Sequence, residues 1–315
     1  MGSVLTYIAI LFLAVLFGWA AHGGHMCTVR SMGLLIQHRN PRVLVALMHV
    51  VLWSAAALMA LWCTDVIPNP TVALDHGHVT WMALAGGLVF GVGAAWNKAC
   101  AISLMARLGS GELVMLGTLA GFGTGVVAGG WLEMGWMGPD GMSPDPLVQG
   151  WLLPILLWHW CAWALFRLWR DGQIWRPTPR EPESAAMWMG LSNAALIWVV
   201  GGPWISLMLV GWAARWAFGF ETMHPPLTLA LSFVGVLVGA SWSAWRRGQF
   251  TLRLGGPWLR SMIAGLVMGF GAGMIPGGND ALMLHGLPML MPQVALAFVM
   301  ILVGVGLGLM MTRGR

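Results

Sequence analysis

Three short stretches of this sequence combine thiol, amide and small residues in a pattern suited to holding a small anion. They are His22-Gly23-Gly24-His25-Met26-Cys27-Thr28, Asn97-Lys98-Ala99-Cys100 and Gly277-Gly278-Asn279-Asp280. Each opens a short apolar segment, so Cys27, Cys100 and either Gly278 or Asn279 stand at the start of a helix. A helix start presents free N–H groups and the positive end of its dipole, which attract anions. A thiol there donates a weak hydrogen bond, or becomes a thiolate if its pKa falls. Lys98 adds positive charge if it faces the same cavity. In the competing reading Cys100 is a small apolar residue and Lys98 snorkels to the surface. A rival chemistry is soft-metal binding, because His22, His25 and Cys27, with Met26, supply N and S ligands within six residues. The other two stretches offer Asn97, Lys98, Asn279 and Asp280, of which only the acid ligates metal well.

The elements that must position these residues follow from composition. Of 315 residues, 58% are hydrophobic and 9% charged, against roughly 25% charged in soluble domains. So few charges cannot cover a water-facing surface, whereas helices in lipid need almost none. The 44 Gly suit close helix packing in a bilayer, and the 21 Trp suit its interfaces. A membrane span takes roughly 17–25 apolar residues. The sequence predicts nine, near 3–21, 42–63, 79–96, 110–131, 148–169, 186–201, 226–245, 260–275 and 292–311. Four further stretches, about 25–37, 98–108, 203–217 and 279–289, are too short to span and too apolar for loops. Each follows an interruption: Gly23-Gly24, Asn97-Lys98, Gly201-Gly202-Pro203 or Pro276-Gly277-Gly278. Broken segments survive at membrane depth only where protein or a water-filled cavity serves their backbone, which makes them pointers to a transport site. The competing reading is four amphipathic interfacial helices. At such depth an ionisable Asp280 is functional by default; at the outer rim it is instead a helix N-cap.

The fold class expected is therefore an all-α membrane protein of about nine transmembrane helices plus four short re-entrant half-helices. Charge orients it. With the N-terminus periplasmic and the C-terminus cytoplasmic, 15 of the 16 basic residues fall inside and only Arg215 outside. The outer segments then hold Asp65, Asp75, Glu133, Asp140, Asp145, Glu221 and Asp280, and the inner ones include Arg180, Arg313 and Arg315. The same arrangement sends two half-spans in from each side. This is an inverted pseudo-twofold repeat, with halves 1–131 and 186–315 joined by a connecting helix, 148–170. Gly91–Met105 resembles Gly269–Leu284, allowing one inserted residue. No Lys or Arg precedes Arg30, so the first apolar run lacks the charged start of a signal peptide and reads as a retained helix.

Several classes drop out. The pI near 9.7 comes from basic residues scattered between apolar runs, not from a stripe that would bind nucleic acid. There is no GxSxG, HExxH or phosphate loop, so neither an enzyme nor a nucleotide-driven pump is expected, and no cofactor is implied. The four cysteines, Cys27, Cys63, Cys100 and Cys161, form no CxxC pair. Cys63 and Cys161 lie within full spans and read as packing residues.

With these segments placed, the chain resembles the YeeE/YedE family of bacterial inner-membrane sulphur transporters, which includes thiosulfate uptake proteins. The resemblance rests on Cys27-Thr28 with the basic stretch to Arg42, on Gly91-x-Gly93 leading to Cys100 and Arg107-Leu108-Gly109-Ser110-Gly111, on Gly202-Pro203-Trp204, and on Gly269-x-Gly271 leading to Gly277-Gly278. It implies a pathway in which successive thiols meet a small sulphur-containing anion, with thiosulfate the leading candidate. Cys27 and Cys100 fall on two of the family's cysteine positions, and Asn279 or Gly278 stands at the third. The expected substrate-binding residues are Cys27, Cys100, Asn279, Lys98, Asp280 and Gly278. The partners implied are the anion, the lipid bilayer and a small cytoplasmic sulphur-carrier protein. A membrane scaffold for a sulphur-handling enzyme is the alternative that needs no pathway.

Overall fold

The computed structural model describes residues 4–64, 81–134, 152–178, 181–275, 277–289 and 291–312. Asp65, Asp75, Asp140, Asp145, Arg180, Pro276, Arg313 and Arg315, to which the sequence assigns roles in topology or helix interruption, lie outside these residues. Among the described residues there is no strand, and one isolated bridge joins Glu112 to Arg253.

The longer helices are α1 (Val4–Gly23), α3 (Arg42–Cys63), α4 (Trp81–Asn97), α6 (Met115–Met134), α7 (Leu152–Arg170), α8 (Glu183–Val200), α10 (Leu227–Arg246), α11 (Trp258–Gly273) and α13 (Pro292–Thr312). Four shorter pieces intervene: α2 (Thr28–His38), α5 (Ala101–Gly109), α9 (Ser206–Ala217) and α12 (Asn279–Ala281), which runs on as a π-helical turn over Leu282–Gly286. Five helical stretches are long and apolar enough to cross a membrane: Val4–His38, Arg42–Cys63, Trp81–Gly109, Leu227–Arg246 and Gln293–Thr312. Two of these are broken inside, between α1 and α2 and between α4 and α5, at the interruptions that carry Cys27 and Cys100.

Packing follows the glycines. Helix α11 lies along α6 and α4, α13 along α4, α1 along α10 and α8, and α3 along α8. At the α6–α11 contact, a Cβ on Gly269 would overlap the carbonyl oxygen of Phe122, and one on Gly121 that of Met262. Lipid tails are as apolar as leucine, so helices in a bilayer gain little by hiding apolar surface and much by close backbone approach. The short pieces fill the interior between these pairs: α5 rests on α10, α1 and α12, α2 on α13 and α3, and α9 on α6 and α10. Arg215, the one basic residue assigned to the outside, pairs at 3.3 Å with Glu221, an acid assigned to the same side.

Candidate functional site

The two cysteine stretches are built alike. After α1, the N–H of His25 bonds to His22 O and that of Met26 to Ala21 O; after α4, Lys98 N bonds to Ala95 O and Ala99 N to Ala94 O. This double bond set closes a helix in a Schellman motif, whose key residue is left-handed. His25 (φ 50°) and Lys98 (φ 57°) hold that position. One residue follows, Met26 or Ala99, and Cys27 and Cys100, both extended, then become the N-caps of α2 and α5.

The Lys98 side chain is exposed, while Cys100 is buried. The Lys98 carbonyl accepts from Arg107 Nη1 at 3.5 Å. A non-glycine residue in the left-handed position carries a penalty of about 1–2 kcal/mol. Lys98→Gly is therefore expected to raise thermal stability by about 1 kcal/mol and to leave solute uptake within about twofold. Melting of the purified protein and uptake per inserted protein check both halves of this expectation.

The third stretch settles its register in the same way. Cys27 O accepts from Ser31 N, Cys100 O from Leu104 N and Gly278 O from Leu282 N. Gly278 is thus the N-cap equivalent to the two cysteines, and Asn279 is the first helical residue after it, matching Thr28 and Ala101. No inserted residue is needed, because Gly91 to Cys100 and Gly269 to Gly278 have equal spacing. A Cβ on Gly278 would meet the Phe90 ring at 3.0 Å, so that ring takes the space where a third side chain would start. Asp280 follows Asn279. It is 4% exposed, in the protein interior, and Gly278 rather than Asp280 is the N-cap.

The three helix starts meet. Thr28 N–H donates to Cys100 Sγ at 3.4 Å, and Ala101 N–H donates to Asn279 Oδ1 at 3.2 Å. Asn279 Nδ2 donates to Thr28 Oγ1 at 2.9 Å, which closes a ring across 251 residues of sequence. Ser103 completes it: its hydroxyl accepts from Cys100 N–H at 2.9 Å and lies 3.5 Å from Cys100 Sγ. The Cys27 and Cys100 thiols are both buried and unlinked, and their side chains face one another. Thr28, Cys100 and Asn279 are all buried. The first N–H of α2 and of α5 is therefore satisfied by a side chain from another short piece, where an isolated helix would leave it free. Such N–H groups can exchange a neutral acceptor for an anionic one, and hydrogen bonds to charge are the stronger kind.

Thr28 and Ser103 were not among the site residues expected from sequence. Ser103 carries a legible signal, since a hydroxyl three residues after an N-cap makes a capping box. Another missed feature fixes the frame around the ring. Trp204 Nε1 donates to Asn193 Oδ1 at 2.9 Å, and Asn193 Nδ2 donates to Ser54 Oγ at 2.9 Å and to Leu284 O at 2.6 Å. Trp204 also meets Phe17 edge-on, with centroids 5.1 Å apart.

Of the three candidate metal ligands, the His22 and His25 rings lie 5.8 Å apart, and His22 Nδ1 lies 3.0 Å from Ser243 Oγ. Among the described residues, no three His, Cys, Asp or Glu side chains are grouped to hold a metal ion.

A family model described as Sulphur transport matches residues 23–307, which takes in every residue of the ring. The chain belongs to this YeeE/YedE sulphur transport family. Its described residues form helices and no strand, and the family is one of sulphur transport. No curated protein matches the chain.

Proposed function

We propose that this protein passes a small sulphur-containing anion, thiosulfate before others, across the bacterial inner membrane through the ring formed by the starts of α2, α5 and α12. The observation that carries this reading is the capping of the α2 and α5 starts by Cys100 and Asn279, closed into a ring by the bond from Asn279 to Thr28. An arriving oxyanion replaces Asn279 Oδ1 on Ala101 N–H and Cys100 Sγ on Thr28 N–H. The Cys27 and Cys100 thiols then donate to it in turn. A neutral hydrogen bond nets about 0.5–1.5 kcal/mol, so the caps open at small cost. A site of that strength suits passage, because a tightly held anion does not leave.

The membrane arrangement belongs to the same proposal: nine crossing helices, four re-entrant pieces, and inverted halves 1–131 and 186–315 joined by 148–170. Paired contacts support it. Exchange of the halves maps α6 on α11 to α13 on α4, α1 on α10 to α8 on α3, and α2 on α13 to α9 on α6, and each of these contacts occurs. The sidedness follows from the basic residues, with the N-terminus periplasmic and the C-terminus cytoplasmic. Reporter fusions to the two ends are expected to fall on opposite sides of the membrane; both ends on one side would end the nine-span arrangement and the inversion together.

Uptake of thiosulfate, sulfite and sulfate into proteoliposomes tests the function itself. Saturable uptake of thiosulfate is expected. Failure with every sulphur anion would leave a scaffold role in its place.

A further inference from the structure

Asp280 has no task in the ring, yet it lies beside it. Its neighbour Asn279 is a ring member, and its own side chain lines a small cavity between α1, α5, α9, α10 and the π-helical turn. The cavity walls near it are apolar or small, including Phe17, Ala101, Met105, Val236 and Leu284. The carboxyl oxygen Oδ1 is buried with no hydrogen-bond partner. No cation faces it. From α5 the titratable group is the Cys100 thiol; the residues that α1, α9 and α10 contribute to the cavity are not titratable, and His285 sits on the following turn with Nδ1 also unpartnered. Among the described residues no basic side chain lines this cavity.

We propose that Asp280 is the proton-binding site of a proton-coupled anion transporter. This rests on the anion pathway proposed above. A bare carboxylate in such a pocket is costly, and a second anion entering the adjacent ring makes it more so. Protonation removes the charge and with it both penalties. The cycle balances simply: an O–H bond forms at Asp280 with a proton from external water as the anion occupies the ring. The bond breaks to cytoplasmic water after the anion has left. Sodium is the less suitable coupling ion, because it takes several oxygen ligands and this pocket offers as side-chain oxygens one carboxyl group and the Ser206 hydroxyl.

The test uses purified full-length protein in liposomes holding a pH-sensitive dye, with thiosulfate added outside. Wild type is expected to acidify the lumen as thiosulfate enters, and its uptake should rise at least tenfold when the outside is made acidic. A sodium gradient should have no effect. Asp280→Asn is expected to lose the lumenal acidification and the pH dependence together. Asp280→Glu should keep both, with the pH midpoint of uptake displaced. Thiosulfate uptake by wild type without proton movement, or driven by sodium, overturns the proposal and leaves the anion pathway standing. No thiosulfate uptake by wild type removes both. Should Asp280→Asn be inert, an Asp280→Glu midpoint identical to that of wild type overturns the proposal.

Discussion

Asn279→Asp is expected to lower thiosulfate uptake about a thousandfold at about pH 8. The amide bridges the starts of α5 and α2, accepting from Ala101 N–H and donating to Thr28 Oγ1. A carboxylate keeps the first bond and loses the second, but its main effect is charge. A unit charge about 4 Å from an anion costs about 4 kcal/mol at an effective dielectric near 20, and about 1.4 kcal/mol is a decade in rate. Protonated, the new side chain is close to an isostere of the amide, so uptake should recover as the pH is lowered toward about 5. Asn279→Ala carries no charge and should slow uptake only about threefold to tenfold, the value of one or two neutral hydrogen bonds. Initial rates across pH for the three proteins, normalised to inserted protein, check this ordering. An Asn279→Asp variant as active as wild type at alkaline pH would place the anion elsewhere.

Replacing the thiols should produce the next largest loss. Cys100→Ala removes a thiol donor and also strands the buried Thr28 N–H that its sulphur accepts. An unsatisfied buried group costs about 1–3 kcal/mol, so uptake should fall about tenfold to a hundredfold. Cys27→Ala removes a thiol donor without stranding a backbone N–H bonded to it across the ring, and should slow uptake about threefold to tenfold. Cys63 and Cys161 are half-buried in full helices, and Cys161 packs beside Trp53, Leu168 and Met187. Their alanine variants should transport normally. Uptake by the four single variants, again per inserted protein, separates the pairs.

Much of this was legible in the sequence, for identifiable reasons. Apolar run length fixes helices in a bilayer because backbone must be satisfied locally, so 42–63 was read where α3 runs from Arg42 to Cys63. Breaks at small or polar residues marked the short pieces, and Cys27 and Cys100 were placed at helix starts correctly. The identity of the third position was not legible, since Gly278 and Asn279 differ only in whether one inserted residue is allowed. Backbone bonding from Leu282 to Gly278 decides it. The left-handed backbone of Lys98 was hidden because nothing in a sequence marks it. The ring itself joins residues 28, 100 and 279, and only the packing of α5 against α12, with α2 close by, brings them together. The π-helical turn over Leu282–Gly286 was likewise unforeseen, since it requires a register change that composition does not reveal.

The most direct measurement is uptake of radiolabelled thiosulfate by purified protein in liposomes, comparing a Cys63→Ala/Cys161→Ala variant with a Cys27→Ala/Cys100→Ala variant. The account predicts saturable uptake near the wild-type rate for the first and uptake close to that of protein-free liposomes for the second. Equal rates in the two would contradict it, because the ring at the starts of α2, α5 and α12 would then not be on the path.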